Sequence, residues 1–217
     1  IMSPQSYALR NMGETCGEMK PSASMKAHNM VTVLENDTRT HYSFPSYISC
    51  GEFQTVNEKQ TVDQVVRNFA IDICRSQPAF FITQLHNGEF DYPVMFNTLK
   101  HLRKLGSASL EDKAVRCAEI ALVVSEESIK SMPVIKEIAD SGIIDQKYAK
   151  NGTVTCVPRR RQVLHYETFI GNQSRFNRSG ALVDQLLAED LADNPGNYKL
   201  YVFLNCYKYD EKFMQAV

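Results

Sequence analysis

Segments of apolar and polar residues alternate along the chain in a way that predicts strands and helices following one another. The first strand is predicted at residues 30–34, a short β-favouring run that ends just before Glu35. Apolar residues then recur at three- and four-residue steps over residues 62–73, the spacing of one face of an amphipathic helix. Thr61 and Gln64 have the spacing of a capping box, which predicts that this helix begins at Thr61.

The same alternation continues to the end of the chain. Later strands are predicted at residues 79–85, 118–124 and 200–204. Later helices are predicted near Pro93, after Ser125, at residues 182–191 and from Glu211. The polar residues 107–113 favour a linker, and residues 140–162 have no regular period. Strands that alternate with helices are typical of an α/β protein with parallel strands.

Composition and charge narrow the classes of function. The chain has 217 residues, of which 43% are hydrophobic and 23% charged, and its net charge is −1. At about 150 residues per domain, this length fits one large domain or two small ones. The balanced charge argues against a protein that mainly binds nucleic acid or an anionic membrane surface. No uninterrupted apolar run is long enough to predict a transmembrane helix.

The cysteines predict neither a metal site nor a disulfide framework. All six stand far apart in the sequence, without a Cys-x-x-Cys pair. Zinc ligands usually occur in close pairs, and disulfide scaffolds are short and rich in cysteine. We therefore expect free thiols and no bound metal.

Glu35 is the first candidate for catalytic chemistry. It directly follows a predicted strand, and in barrel enzymes the working residues lie at the carboxyl ends of the strands. Arg39 is close in sequence and could keep the carboxylate ionised, as a nucleophile requires. The same pattern also fits an ion pair on the surface. The residue pattern by itself leaves both interpretations open.

Several segments, taken in order, resemble β-galactosidase-like glycoside hydrolases of family 42 and their relatives. Residues 3–10, 22–29 and 35–41 are similar to the late part of the catalytic barrel in that family. Residues 80–91 resemble the last barrel strand and its sugar-facing loop. Residues 118–128 resemble the opening of the family's trimerisation domain, and the likeness continues over residues 175–205. The resemblance therefore covers nearly the whole chain.

This resemblance implies a fold and a domain division. Residues 1–112 would be the C-terminal strands and helices of a (β/α)8 TIM barrel. Residues 113–217 would be a flavodoxin-like domain, related in shape to glutamine amidotransferases and apparently truncated. The resemblance also implies a homo-oligomer, a trimer in this family.

The implied function is that of a retaining glycosidase acting on a carbohydrate substrate, without a cofactor. In this family the glutamate at the position of Glu35 is the nucleophile. The general acid is usually the glutamate of an Asn-Glu pair on an earlier strand. The only such pair here is Asn57-Glu58, which follows Glu35, so the acid is expected outside this chain. The chain also lacks the tryptophans that commonly stack on sugar in the last barrel strand; Phe80, Phe81 or Phe90 could provide apolar faces in their place.

Six further residues are candidates for substrate binding. Asp37 and Arg39 either orient Glu35 or form an ion pair in a loop. His28 flanks the same predicted strand and contacts sugar hydroxyls or serves a structural role. The remaining candidates follow the last predicted barrel strand and could line the pocket: His86, Asn87 and Glu89.

Two other functions compete with this one. The region from about residue 115 onward could be an oligomerisation or interaction module without catalysis. The likeness to amidotransferases could instead place a nucleophile at Cys206, at the end of the last predicted strand. A strained nucleophile turn wants glycines around the reactive residue, and Cys206 has none beside it, which favours a buried thiol.

Overall fold

The computed structural model describes residues 1–6, 9–10, 12–43, 55–82, 88–112, 117–131, 145–148, 154–157 and 171–217. In these residues the chain is a mixed α/β protein with two separate three-stranded parallel sheets. A two-stranded antiparallel ladder stands apart from both. This confirms the predicted α/β class and its parallel strands. Within the same ranges, no helix has the length and apolar character needed to cross a membrane.

The described helices and strands have the following bounds. The helices are α1 (Ser22–Ala27), α2 (Glu58–Cys74), α3 (Pro93–Glu111), α4 (Glu126–Ser131), α5 (Asn172–Arg178) and α6 (Glu211–Ala216). The strands are β1 (Met2–Pro4), β2 (Val33–Asn36), β3 (Ala79–Phe81), β4 (Ile120–Val124), β5 (Asp145–Tyr148), β6 (Val154–Val157), β7 (Val183–Leu187) and β8 (Leu200–Phe203).

The first sheet has its strands in chain order, β1-β2-β3, with β2 in the centre. Helices α2 and α3 pack against each other beside it. Their shared core contains Val65 of α2 with Met95 and Leu102 of α3, and Phe81 of β3 packs against this cluster. Since Phe81 is paired in register with Asn36, both helices cover the sheet face that these two side chains share.

The second sheet has the order β7-β4-β8, so its central strand β4 pairs with β7 along one edge and with β8 along the other. Its core contains Ala121 and Val123 of β4 with Leu186 of β7. Helix α1 packs on β7, where the Ser24 hydroxyl accepts a hydrogen bond from Leu187 N at 2.7 Å. A helix from the first part of the chain therefore contacts the second sheet.

Strand β2 lies further along the chain than the predicted strand at residues 30–34. It begins at Val33, where pairing with Met2 of β1 starts, and it includes Glu35. Met30 and Val31 are exposed despite their apolar side chains. The prediction was wrong here because the position of β1, rather than local β propensity, sets where the ladder begins.

The start of α2 also differs from the prediction. Asn57 is the N-cap, and its side chain accepts a hydrogen bond from Gln60 N at 2.9 Å. The side chain of Gln60 in turn accepts from Val56 N at 3.0 Å. Thr61 is instead buried inside the helix, where its hydroxyl is 2.9 Å from His41 Nδ1. The helix therefore begins one turn earlier than the apolar stripe suggested.

Three other boundaries are corrected by the structure. The helix predicted at residues 182–191 is strand β7 followed by a 3₁₀ turn (Ala188–Asp190). All five residues of β7 pair with β4, and a short apolar run does not by itself distinguish a strand from a helix. Helix α3 continues to Glu111, through most of the predicted linker. Residues 140–162, for which the sequence predicted no regular structure, contain the antiparallel pair β5–β6.

Candidate functional site

Glu35 is the third of the four residues of β2, the central strand of the first sheet. Its neighbours in the parallel register are Pro4 of β1 and Phe80 of β3. Side chains alternate along a strand, and Asn36 faces α2, so Glu35 projects from the opposite face. Glu35 is half-buried, and its carboxylate has no hydrogen bond or ion pair with the residues that the structure describes.

Asn36, the residue after Glu35, forms hydrogen bonds on the face of the first sheet that α2 covers. Asn36 is fully buried, and its Nδ2 donates a hydrogen bond to Asp72 Oδ2 of α2 at 2.6 Å. Its Oδ1 accepts a hydrogen bond from Gln5 Nε2, just beyond β1. One side chain therefore links β2 to both of these neighbours, and this fixes the backbone that carries Glu35.

Asp72 is a carboxyl group that is almost completely buried beside the first sheet. It is 2% exposed, and its second oxygen, Oδ1, has no hydrogen-bond partner. Burial raises the pKa of Asp72 from 3.8 to about 7, although the Asn36 hydrogen bond and Arg75 act in the opposite direction. Asp72 therefore changes its charge close to neutral pH, directly beneath β2.

A second buried amide extends the network along α2. Asn68 Nδ2 donates to Thr38 Oγ1 at 2.8 Å and to Gln5 Oε1 at 3.3 Å. Thr61, Gln64, Asn68 and Asp72 are all buried and recur at three- and four-residue steps along α2. The sequence contains this polar stripe beside the apolar one, but polar residues on a helix give no local signal that they are buried.

Asp37 and Arg39 form a buried ion pair. The Asp37 carboxylate accepts a hydrogen bond from Arg10 Nη1 at 2.7 Å on Oδ2 and another from Arg39 Nη1 on Oδ1. Arg10 Nη1 also donates to the Asp37 carbonyl at 2.8 Å. Asp37 is the carboxylate that both arginines share, so removing it would leave two largely buried guanidinium groups without this partner. These residues anchor the segment that follows Glu35, and Arg10 is a member of this group that spacing alone did not single out.

The remaining predicted site residues have different surroundings. His28 is exposed at the end of α1, with Nε2 2.8 Å from Asp190 Oδ1 in the 3₁₀ turn after β7. Glu89 is buried, directly before Phe90 of the α2–α3 core. His86 and Asn87 lie outside the described residues. The structure thus brings Asp37 and Arg39 together immediately after Glu35. His28 instead contacts Asp190, in the turn that follows β7 of the second sheet.

Cys206 does not have the environment of a nucleophilic thiol. It follows β8 and is half-buried, with Sγ 4.0 Å from the Val123 carbonyl oxygen. Burial raises its pKa to about 11, and reactive cysteines need a lowered value. These surroundings fit the structural thiol that the sequence favoured.

Comparisons with known proteins add no relative to this picture. Neither a protein-family model, nor a curated protein, nor a solved structure matches the chain. In the ranges that the structure describes, no group of three or more histidine, cysteine or acidic side chains could hold a metal ion.

Proposed function

We propose that the protein is a retaining glycoside hydrolase of the β-galactosidase-like type, with Glu35 as its nucleophile. The observation that carries this proposal is the setting of Glu35. Its carboxylate is available on one face of a parallel sheet, near the carboxyl end of the central strand, while α2 and α3 cover the other face. Catalytic residues of barrel enzymes come from the carboxyl ends of their strands.

The strand order supports the finer interpretation of residues 1–112 as the end of a barrel. Parallel strands in chain order, with helices on one face, form the wall of a (β/α)8 barrel. In such a wall the face opposite the helices is the barrel interior. Pro4, Glu35 and Phe80 would then face inward together, in the layer nearest the carboxyl end of the sheet.

The proposed reaction is a double displacement. The ionised Glu35 carboxylate attacks the anomeric carbon, the glycosidic bond breaks, and a glycosyl ester forms on Glu35. A second carboxylic acid, which the family resemblance puts outside this chain, protonates the departing oxygen. It then takes a proton from water, which attacks the same carbon and releases the sugar with its configuration retained.

The surroundings of Glu35 suit the role of a nucleophile. A nucleophile must stay ionised and must be held within a fraction of an ångström of its attacking position. Half-burial leaves the carboxylate in contact with solvent, and the Gln5–Asn36–Asp72 hydrogen bonds fix its strand. Phe80 provides an apolar surface beside it, at 38% exposure.

Hydrolysis of a panel of nitrophenyl glycosides by the full gene product, which would supply the general acid as well as Glu35, tests this function. We expect turnover of at least one galactoside-like substrate, and we expect Glu35→Ala to lose about 10⁴-fold or more in kcat. Added azide should restore part of that rate to the variant, because a small anion can occupy the space left by the carboxylate. Glu111→Ala, at the exposed end of α3, is the matched control and should keep full activity.

A Glu35→Ala variant as active as the wild type would remove Glu35 from the mechanism. Absence of activity on every glycoside, from a protein whose circular dichroism shows intact secondary structure, would contradict the glycosidase proposal as a whole. The panel also identifies the sugar, which the residues around Glu35 do not specify.

The second part of the chain supports an oligomerisation module as a second candidate function. The order β7-β4-β8 is the order of the first three strands of a flavodoxin-like sheet, in which the first strand is central. Among the described residues β8 is an edge strand of this sheet; it is rich in apolar residues, and Leu200 and Phe203 are exposed by 47% and 39%. Edges of this kind invite pairing with another chain. Light scattering should show an oligomer that Leu200→Lys weakens.

A further inference from the structure

A cavity of about 290 Å³ opens at the carboxyl edge of the second sheet. It is lined by residues that follow each strand: Ser125 and Glu127 after β4, Glu189 after β7, and Lys208 and Tyr209 after β8. Helix α6 closes one side. The volume lies near the lower end of the roughly 300–1,000 Å³ typical of small-molecule pockets.

The strand order of the second sheet indicates that this cavity is at a position where ligands bind. In open α/β sheets, ligands bind outside the carboxyl ends of the strands, at the point where consecutive connections run to opposite sides of one strand. Strand β4 is that point, since β7 lies on one side of it and β8 on the other. The cavity thus occupies the position where this kind of sheet forms a ligand crevice.

We propose that this cavity binds a small organic cation, an ammonium group attached to an apolar or aromatic body. This site is separate from the proposed glycosidase site on the first sheet, and it does not depend on that function. Three features of the lining specify the ligand: the hydrogen-bond acceptors left available, the state of the lysines, and the apolar wall.

The acceptors left available are carboxylate oxygens. Glu189 Oε1 accepts from Ser125 Oγ at 2.9 Å and from Glu127 N at 3.1 Å, while Oε2 accepts from none of the described residues. Asp210 Oδ1 caps α6 by accepting from Phe213 N at 2.8 Å, which leaves Oδ2 available in the same way. A ligand with hydrogen-bond donors and a positive charge matches these oxygens.

The lysines of the lining are already paired with carboxylates. Lys212 Nζ lies 2.6 Å from Asp193 Oδ2, outside the cavity. Lys208 Nζ lies 3.5 Å from Glu127 Oε2. An anionic ligand would have to compete with these carboxylates for each ammonium group, so the charge left uncompensated in the cavity is negative.

The apolar wall accommodates the body of the ligand. Ala188, Ala192 and Phe213 line the cavity on one side. The ring of Tyr209 is 6.3 Å from that of Phe213, centroid to centroid. An ammonium ion over an aromatic face gains attraction from the ring electrons, in addition to what its body gains by burial. Aromatic and carboxylate groups together therefore favour an amine over a neutral alcohol.

The cavity walls are fixed before any ligand binds. The buried side chain of Asn205 accepts from Ser125 N at 2.7 Å and donates to the Ser125 carbonyl at 2.9 Å. Ser128 Oγ accepts from Lys208 N at 2.9 Å. These bonds join the ends of β4 and β8, so a ligand does not have to order the loops that surround it.

Titration of the protein with benzylammonium, followed by NMR chemical shifts, tests the proposal. Benzyl alcohol and benzoate are matched probes with a neutral and a negative group on the same ring. We expect benzylammonium to bind with a Kd below about 10 mM, and both other probes to bind at least about threefold more weakly. Shifts should concentrate at the residues that line the cavity.

Two variants change the charge of the cavity and keep the acceptor oxygens around it. Glu189→Gln and Asp210→Asn retain the acceptor oxygens that cap α4 and α6. Each should weaken benzylammonium binding about three- to tenfold, and Glu111→Gln on α3 should leave it unchanged. Equal binding of all three probes would overturn the proposal, as would no saturation with benzylammonium. Unchanged binding to both well-folded variants would also overturn it.

Discussion

Glu35 of β2 and Phe80 of β3 are paired in the parallel register, so their side chains project from the same face of the first sheet. The next pair along the strands, Asn36 and Phe81, faces α2 and α3. Two adjacent phenylalanines therefore have different surroundings. Phe80 is 38% exposed beside the candidate nucleophile, whereas Phe81 packs with the α2–α3 core.

Phe80→Ala should impair the proposed glycosidase without unfolding it. We expect kcat/KM to fall about tenfold, mainly through a higher KM, because an apolar surface beside the anomeric carbon is lost. The free energy of unfolding should change by less than about 1 kcal/mol, since the side chain is exposed. Steady-state kinetics and urea denaturation of the same preparation measure both quantities.

Phe81→Ala is the matched control and should show the opposite pattern. Its ring lies 6.2 Å from that of Phe90, centroid to centroid, within the α2–α3 cluster. We expect its removal to cost about 2–4 kcal/mol of stability, because it opens space in a packed core. If both variants had the same effect on stability and on KM, the assignment of the two sheet faces would be wrong.

Asp72 should make the stability of the protein depend on pH in an unusual direction. Its pKa is raised in the folded state, from 3.8 to about 7, because the carboxyl group is buried. The contribution of its protonated form is complete below pH 3.8 and is lost as the pH rises through about 7. Most acidic groups contribute in the opposite sense.

Asp72→Asn removes this titration and keeps an oxygen that can accept from Asn36. We expect the variant to be more stable than the wild type above pH 7, by up to about 4 kcal/mol, and the gap to close towards pH 4. Asp63→Asn, an exposed change on the same helix, should lack this pH-dependent gap. Urea denaturation at several pH values measures the difference in the free energy of unfolding between each variant and the wild type. A gap that is constant with pH would contradict burial of an ionisable Asp72.

The described cysteines should differ sharply in reactivity. Cys16 is fully buried with a pKa raised to about 12, and Cys206 is half-buried with a pKa raised to about 11. Cys74 and Cys117 are exposed. N-ethylmaleimide reacts with thiolates, so peptide mass spectrometry should find Cys74 and Cys117 labelled before Cys16 and Cys206 in the native protein. Rapid native labelling of Cys16 would contradict its position in the core.

The α/β class and most later elements could be predicted from the sequence because their signals are local. Ser125 is the N-cap residue that the pattern indicated, since its hydroxyl accepts from Ser128 N at 3.0 Å. Pro93 starts α3, and Asp210 caps α6. In each case a residue within one helical turn supplies the signal, so no knowledge of the rest of the fold is needed.

Other features depend on distant partners and could not be predicted in this way. The limits of β2 are set by β1, which is about thirty residues earlier and too short to give a pattern. The segment that forms β7 is a strand because β4 pairs with it along its whole length. Its apolar spacing suits a helix equally well, so tertiary pairing decides the outcome.

The candidate site was predicted only in part for a similar reason. Glu35 could be proposed because it closely follows a β-favouring run, and Asp37 and Arg39 because they lie near it in the sequence. The residues that bond to this segment could not be predicted, because they are distant in sequence. Arg10 is 27 residues from its partner Asp37, and Asp72 is 36 residues from its partner Asn36. A polar residue on a helix usually indicates solvent exposure, and here burial between α2 and the first sheet reverses that expectation.

The most direct test of the central claim is covalent trapping of Glu35. A 2-deoxy-2-fluoro galactoside with a dinitrophenolate leaving group needs no general acid, because the leaving group is stable as an anion. The fluorine also slows breakdown of the glycosyl ester, which therefore accumulates on the nucleophile.

We expect mass spectrometry of the digested protein to find one fluoroglycosyl group, on the peptide that contains Glu35. Glu35→Gln should abolish the label, and Glu111→Gln should retain it. Labelling of a different carboxylate, or full labelling of Glu35→Gln, would contradict the assignment of Glu35 as the nucleophile of a retaining glycosidase.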